Sequence, residues 1–224
     1  MDHTPARLPR FSPLEPIFFP HADAIPLAFR EQFLHAPEDP FRVVLRGTIH
    51  HLWYRPRWLA PLFWLLERSG MLISEPGRDI PTTLTVHPGY DAAGRPYHIW
   101  ARTLHFRKRR YFNTTIIYAM DLDQVVDLVG PNNLLYMVWR ARFHPPDTFT
   151  LHTAACAVRV GSYRLWFPHW LWRWALGVVR FRQRVDAQHE DTVHIGIVIW
   201  HPLIGDFFGY TGTFRVERST APEE

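Results

Sequence analysis

The sequence predicts a mainly β (α+β) fold: a curved antiparallel sheet or partly closed barrel of about eight to ten strands, packed by two or three short helices. Three observations carry that prediction. The tail, residues 192–218, holds two extended runs, 193–200 and 207–217, around a turn at Pro202 and Gly205, with β-branched and aromatic residues filling both. Similar runs recur upstream at roughly ten-residue spacing with turn chemistry between them, the pattern of a sandwich or barrel. Hydrophobic residues make up 47% of the chain and include sixteen Phe and ten Trp, so something wide is being filled or lined.

Residues 1–24 are proline-rich (Pro5, Pro9, Pro13, Pro16, Pro20) and are expected to form an extended arm whose apolar patch, Pro16-Ile17-Phe18-Phe19, docks on the body. Residues 25–218 are expected to be a single antiparallel β domain and 219–224 a disordered tail. Pro26 opens a short helix over 27–34, with Leu27, Arg30, Phe33 and Leu34 at helical spacing. Residues 41–54 alternate as a strand. Phe41, Val43, Leu45, Gly47, Ile49, His51 and Trp53 face one way; Arg42, Val44, Arg46, Thr48, His50 and Leu52 face the other.

A helix follows at 56–68, with Pro56 and Pro61 in or near its first turns and Gly70 stopping it. Trp58, Leu59, Leu62, Phe63, Leu65 and Leu66 leave it apolar nearly all round. With only Arg57, Glu67 and Arg68 charged, it reads as a buried helix rather than one lying on a membrane surface. Strands are expected next at 82–87, 97–106, 111–120, 124–129, 134–143 and 148–160, joined by turns at 91–94, 107–110, 121–123, 130–133 and 145–147. Residues 166–176 (WFPHWLWRWAL) read as another short helix carrying four tryptophans, and a strand at 178–186 precedes the final hairpin.

The 224 residues suit one large domain. The net charge is a modest +4, and Lys108 is the only lysine among 25 basic residues. Cys156 is the only cysteine, which rules out an internal disulfide; in the small-residue run 153–157 it reads as a buried small hydrophobe. The first ten residues lack the apolar centre of a signal peptide, and no run reaches the ~18–20 apolar residues of a membrane span, so a cytoplasmic, reducing setting is expected.

Common enzyme signatures are missing: no G-x-S-x-G elbow, no phosphate-cradling glycine loop, no dinucleotide fingerprint. Gly209-Tyr210-Thr211-Gly212 sits inside a strand and reads as a bulge or a point of close packing. Fourteen histidines show no metal-ligand spacing, and the adjacent His50 and His51 face opposite sides of their strand. No metal or cofactor is expected. The basic turn 107–110 reads as a solvated hairpin tip, with an anionic lipid surface as the alternative; the near charge balance of the rest argues against nucleic acid. Trp166, Trp170, Trp172 and Trp174, with Arg164 and Arg173, would also suit a membrane interface.

Charged residues inside apolar strands carry more weight. Arg46 shares a face with Val44 and Leu52, Arg102 with Trp100, Leu104 and Phe106, and Asp127 lies among valines and leucines. One reading is a structural ion pair such as Arg102–Asp127 stitching the sheet. The other is an aromatic-lined cavity whose few polar groups orient one end of an apolar ligand, with His98 on the Arg102 face as a proton donor. The candidate ligand-binding residues are therefore Arg46, His98, Trp100, Arg102 and Asp127. Alternation alone does not say which face is inward.

Several stretches together, residues 75–81 (EPGRDIP), 102–106 (RTLHF), 110–118 (RYFNTTIIY), 127–130 (DLVG), Phe167-Pro168 and, above all, 202–214 (PLIGDFFGYTGTF), resemble an uncharacterised bacterial family, domain-of-unknown-function family 4166. The likeness covers about residues 25–217. It implies one compact domain and no catalytic residues, and, since some relatives carry this domain behind a saccharopine-dehydrogenase-like reductase domain, a reductase partner. Asn113 stands where an aspartate is expected, which argues against an acid–base role there.

The function expected is binding of an apolar small molecule, an acyl chain or isoprenoid, in the cavity. The alternatives are an enzyme acting on such a molecule through Arg102, Asp127, Arg46 and His98, or a protein- or membrane-surface module using residues 166–174. An enclosed cavity above roughly 300 Å³ would favour the first two.

Overall fold

The computed structural model describes residues 12–161 and 163–220. Ten strands close into an antiparallel barrel. They are β1 (Arg42–Tyr54), β2 (Gly77–Tyr90), β3 (Pro96–His105), β4 (Arg109–Ala119), β5 (Gln124–Val129), β6 (Leu135–His144), β7 (Thr148–Val160), β9 (Val178–Val185), β10 (Thr192–His201) and β11 (Gly205–Ser219). Each of β1 to β7 pairs with the next, β7 pairs with β9, β9 to β11 continue the meander, and β11 returns to β1. The short β8 (Tyr163–Trp166) pairs only with the end of β7 and stands outside the ring. Closure leaves the long strands without a free edge.

Alternation builds the wall. In β2 and β3 every second residue is buried over most of the strand, which turns one face to the lumen. β5 is buried at consecutive positions: Val125, Asp127 and Val129 face inward, while Val126 and Leu128 pack outside with Tyr136, Val138 and Ala157. Gly47 lets β1 and β11 curl together tightly, since a Cβ there would meet the Thr213 carbonyl oxygen at 2.0 Å and the Phe214 Cα at 2.7 Å. A register shift between Ile49 and His51, opposite Thr211 and Gly212, then moves Leu52 to the interior.

Antiparallel meandering sends alternate connections to opposite ends. The top end carries residues 55–76, 106–108, 130–134, 161–177 and 202–204; the bottom carries 12–41, 91–95, 145–147 and 186–191, and 120–123 turn back part-way along the wall because β5 is short, which lets Asp121 pair with Arg164 at 3.1 Å.

The bottom is plugged. Residues 12–24, expected as an extended arm, instead form α1 (Glu15–Phe18) and a 3-10 turn (Phe19–Ala24); Pro16 and Pro20 sit in first-turn positions, where the missing N–H is harmless. The expected docking does occur through Phe18, which is fully buried. With α2 (Leu27–Phe33) it builds a ring stack: Phe18 lies 5.3 Å from Phe33 and 5.2 Å from Phe149, and Phe33 lies 5.8 Å from Trp100. Gln32 and Gln183, both buried, exchange side-chain hydrogen bonds and tie α2 to β9. The rest of the arm (1–11) and residues 221–224 of the tail lie outside the described residues; Ser219, assigned to the tail, pairs with Arg42.

The top is covered by α3 (Ala60–Arg68), by residues 71–73 and by the segment after α4 (His169–Ala175). One expectation needs correction here. α3 is not a buried helix: Phe63 is buried, but Leu62, Trp64 and Leu65 are exposed, as is Trp58 just before it. The helix expected over 166–176 is present but shorter, as α4, because Trp166 ends β8 and Phe167-Pro168 stand before the first turn; of Trp166, Trp170, Trp172 and Trp174 only Trp172 is buried.

Candidate functional site

Between plug and cover the lumen keeps a cavity of about 260 Å³. That lies just under the ~300–1,000 Å³ usual for small-molecule pockets. Inward positions from strands all round the barrel make its wall, among them Ile49, Leu84, Ile116, Met137, Phe181 and Phe214. Leu62, Phe63 and Leu66 of α3, with residues 71–73 and 175–177, face it from the top.

One sector of this hydrocarbon wall is polar, and register explains why its members meet. Trp100 and Arg102 are inward neighbours on β3; across the ladder Arg102 pairs with Phe112 and Trp100 with Thr114 on β4; Ile116 pairs with Asp127 on β5. The Arg102 guanidinium lies 5.5 Å from the Trp100 ring centre and 5.1 Å from that of Phe112. It donates long hydrogen bonds, 3.5 Å to the Trp100 carbonyl and 3.4 Å to Thr114 Oγ1, and also hydrogen-bonds to the Tyr210 hydroxyl. Among the described residues no carboxylate forms an ion pair with it, so the sheet-stitching Arg102–Asp127 pair is not made.

Asp127 is buried, and its Oδ1 has no hydrogen-bond partner. Burial pushes its pKa up to about 7, against the opposing pull of the Arg102 charge and a hydrogen bond from Thr114. Trp100 and Trp139, both on the cavity wall, hold indole N–H groups that are buried without an acceptor. Tyr210 reaches the wall from β11; burial raises its phenol pKa, and the Arg102 guanidinium opposes the rise. The sector is thus rich in donors, carries one cation, and offers one free acceptor oxygen on a carboxyl that is half protonated near neutrality.

Trp100, Arg102 and Asp127 are brought together. His98 is not on the cavity wall. It points inward from β3 but lies deeper, fully buried, with Nε2 donating to the His35 carbonyl oxygen at 2.9 Å; burial pushes its pKa down to about 4. A neutral imidazole tied to the backbone holds the loop after α2 and is not poised to donate a proton to a guest. Arg46 lies outside the barrel, its side chain 62% exposed and paired with Glu217 at 3.4 Å. The bulge after Ile49 explains the error, because Leu52 shares no face with Arg46. Asn113 is exposed on the outer face.

Sequence reasoning missed Phe112, Thr114, Trp139 and Tyr210. The signal was available for the first two, since they alternate in register with Ile116 on β4. Cys156 is on the wall, its thiol pushed up to about 12 by burial, and is inert as a nucleophile. Among the described residues no cluster of three or more His, Cys, Asp or Glu is arranged to hold a metal ion, and no helix is long and apolar enough to cross a membrane.

The model of the family described as a domain of unknown function (DUF4166) matches residues 25–214. The uncharacterised protein YndH of Bacillus subtilis is 25% identical over 153 residues, spanning 64% of this chain and 68% of that protein. No solved structure matches. The chain belongs to the DUF4166 family.

Proposed function

We propose that this DUF4166 protein binds an apolar small molecule, of acyl or isoprenoid type, in the barrel lumen, with the polar end of the guest against Arg102 and Asp127. The observation that carries the reading is a half-buried arginine set against two aromatic rings with no carboxylate in ion-pair contact, beside a buried carboxyl oxygen with no partner. A partly desolvated charge without a counter-ion and a buried lone pair without a donor both cost stability, and a guest's head group would match both. Donors outnumber acceptors, so the head is acceptor-rich. A carboxylate suits it best: it accepts from the guanidinium and from the protonated Asp127 hydroxyl, a charge-assisted pair. The hydrocarbon wall takes the rest.

The test is displacement of a fluorescent fatty acid from purified protein, with native mass spectrometry of protein isolated from its own host. An apolar carboxylic acid should co-purify, and Arg102→Met should weaken probe binding about 10–100-fold, the range for losing a hydrogen bond to a charged group. Circular dichroism melting reports whether the variant still folds. Unchanged probe affinity in a folded Arg102→Met protein would overturn the reading.

A second reading, an enzyme acting on the same guest, is favoured by one observation: the Asp127 pKa of about 7 is tuned to the range of a general acid or base. Its working groups would be Arg102 and Asp127, without Arg46 and His98. Asp127→Asn would then abolish turnover of the guest while keeping its binding.

A further inference from the structure

We infer that the top end of the barrel docks on an anionic lipid bilayer, and that the guest of the lumen is loaded and released there; this rests on the reading of the lumen as a guest site. The near-neutral chain charge conceals a segregation. Residues 55–76, 106–108, 130–134, 161–177 and 202–204, at the top, hold seven Arg or Lys against two carboxylates, and Arg109 and Arg110 at the first positions of β4 add two more cations. Residues 12–41, 91–95, 145–147 and 186–191, at the bottom, hold ten carboxylates against two arginines, while Asp121, part-way along the wall, pairs with Arg164 of the top at 3.1 Å. An anionic surface therefore attracts one end and repels the other.

Aromatic exposure follows the same axis. Trp58 is 69% exposed, Trp64 58%, Trp170 64% and Trp174 49%, and every exposed tryptophan of the described residues lies at the top. Indole rings interleaved with arginines are the composition that settles at a lipid–water interface. α3 has two apolar faces. Phe63 and Leu66 face the cavity, while Leu62, which also lines it, Trp64 and Leu65 are exposed outside. Such a helix suits a place between two apolar phases, a filled lumen and a membrane interior. Beside it Trp64, Arg68, Arg109 and Tyr111 line a surface hollow of about 370 Å³, shared with Glu67 and Arg110, which fits a phosphate-bearing head group. The indoles would suit base stacking as well as a lipid interface, so it is the exposed leucines Leu62, Leu65 and Leu171 beside them, which stack on no base, that favour lipid over nucleic acid.

Flotation with vesicles tests the proposal. Full-length protein is mixed with phosphatidylcholine vesicles, with or without about 30% phosphatidylglycerol, at low and high salt. The expected result is partition onto the anionic vesicles at low salt, at least about tenfold weaker on neutral ones. Arg107→Glu/Lys108→Glu should reduce the anionic partition about tenfold or more. Trp64→Ala/Trp170→Ala, at two exposed positions, should reduce it several-fold while retaining its salt dependence. No partition, equal partition on both vesicles, or wild-type partition by the tryptophan variant would overturn docking. Tighter binding to a single-stranded oligonucleotide that strips protein from the vesicles would overturn it too. Vesicle partition needs no guest and the fatty-acid displacement needs no vesicles, so the two readings fail separately.

Discussion

A carboxyl group buried beside hydrocarbon keeps its proton until solution pH overcomes desolvation, for Asp127 near pH 7 against 3.8 for an ordinary aspartate. Between those values the folded protein holds a proton that the unfolded chain has released. Its contribution to stability is therefore fully present below about pH 4, falls as pH rises, and levels off above about pH 7, by on the order of 4 kcal/mol. Asp127→Asn removes that slope. In urea unfolding the variant should match the wild type near pH 4 and exceed it by up to about 4 kcal/mol at pH 8; a pH-independent difference would mean that this carboxyl is not the buried titrating group. Affinity for a carboxylate guest should fall over the same upper range, because ionised Asp127 repels it. Arg102 and Asp127 were legible in the sequence because a charge interrupting an apolar alternation must be matched or functional. Arg46 met the same criterion and failed it, because one inserted residue reverses the faces beyond it and carries no marker in composition.

α3 is held over the lumen by ion pairs more than by its own burial. Arg110, at the start of β4, contacts Glu67 of α3 at 3.1 Å and Glu75 of the following segment at 3.0 Å, and Ser74 hydrogen-bonds to Glu67. The basic hairpin expected as a solvated tip thus contributes one arginine to a latch. Arg110→Ala should lower stability by about 1 kcal/mol, as for half-exposed pairs, while raising the rate of probe release several-fold in stopped flow. Arg110→Lys should restore only part of the latch, since an ammonium cannot match two carboxylates in a fixed plane. Strand positions were readable to within a few residues at most ends, since a half-buried wall imposes period two. Residues 12–24 and β8 were not. Proline count reads alike for an extended arm and for first turns of helices, and β8 has all four residues exposed, so no apolar alternation marks it.

A closed ten-strand ring solves the edge problem and leaves two open ends, and the chain treats them differently. At the bottom, α2 buries Ala28, Phe29, Gln32 and Phe33, is stitched to β9 through Gln183, and joins β11 through the Glu31–Arg218 pair at 2.9 Å. At the top, α3 buries Phe63 alone and leans on a latch that is partly in water. Segments with few buried contacts open at low free energy without global unfolding, so the cover is the end that yields and the plug is the end that stays. If the lumen binds a guest as proposed, its traffic through the top would follow from that inequality independently of any membrane. In hydrogen exchange followed by mass spectrometry, amides of residues 60–68 should exchange at least about tenfold faster than those of 27–33, and a bound fatty acid should slow the former and leave the latter unchanged. Faster exchange in 27–33, or protection by the guest confined to that segment, would place the entrance at the acidic end and reverse the assignment of the two caps.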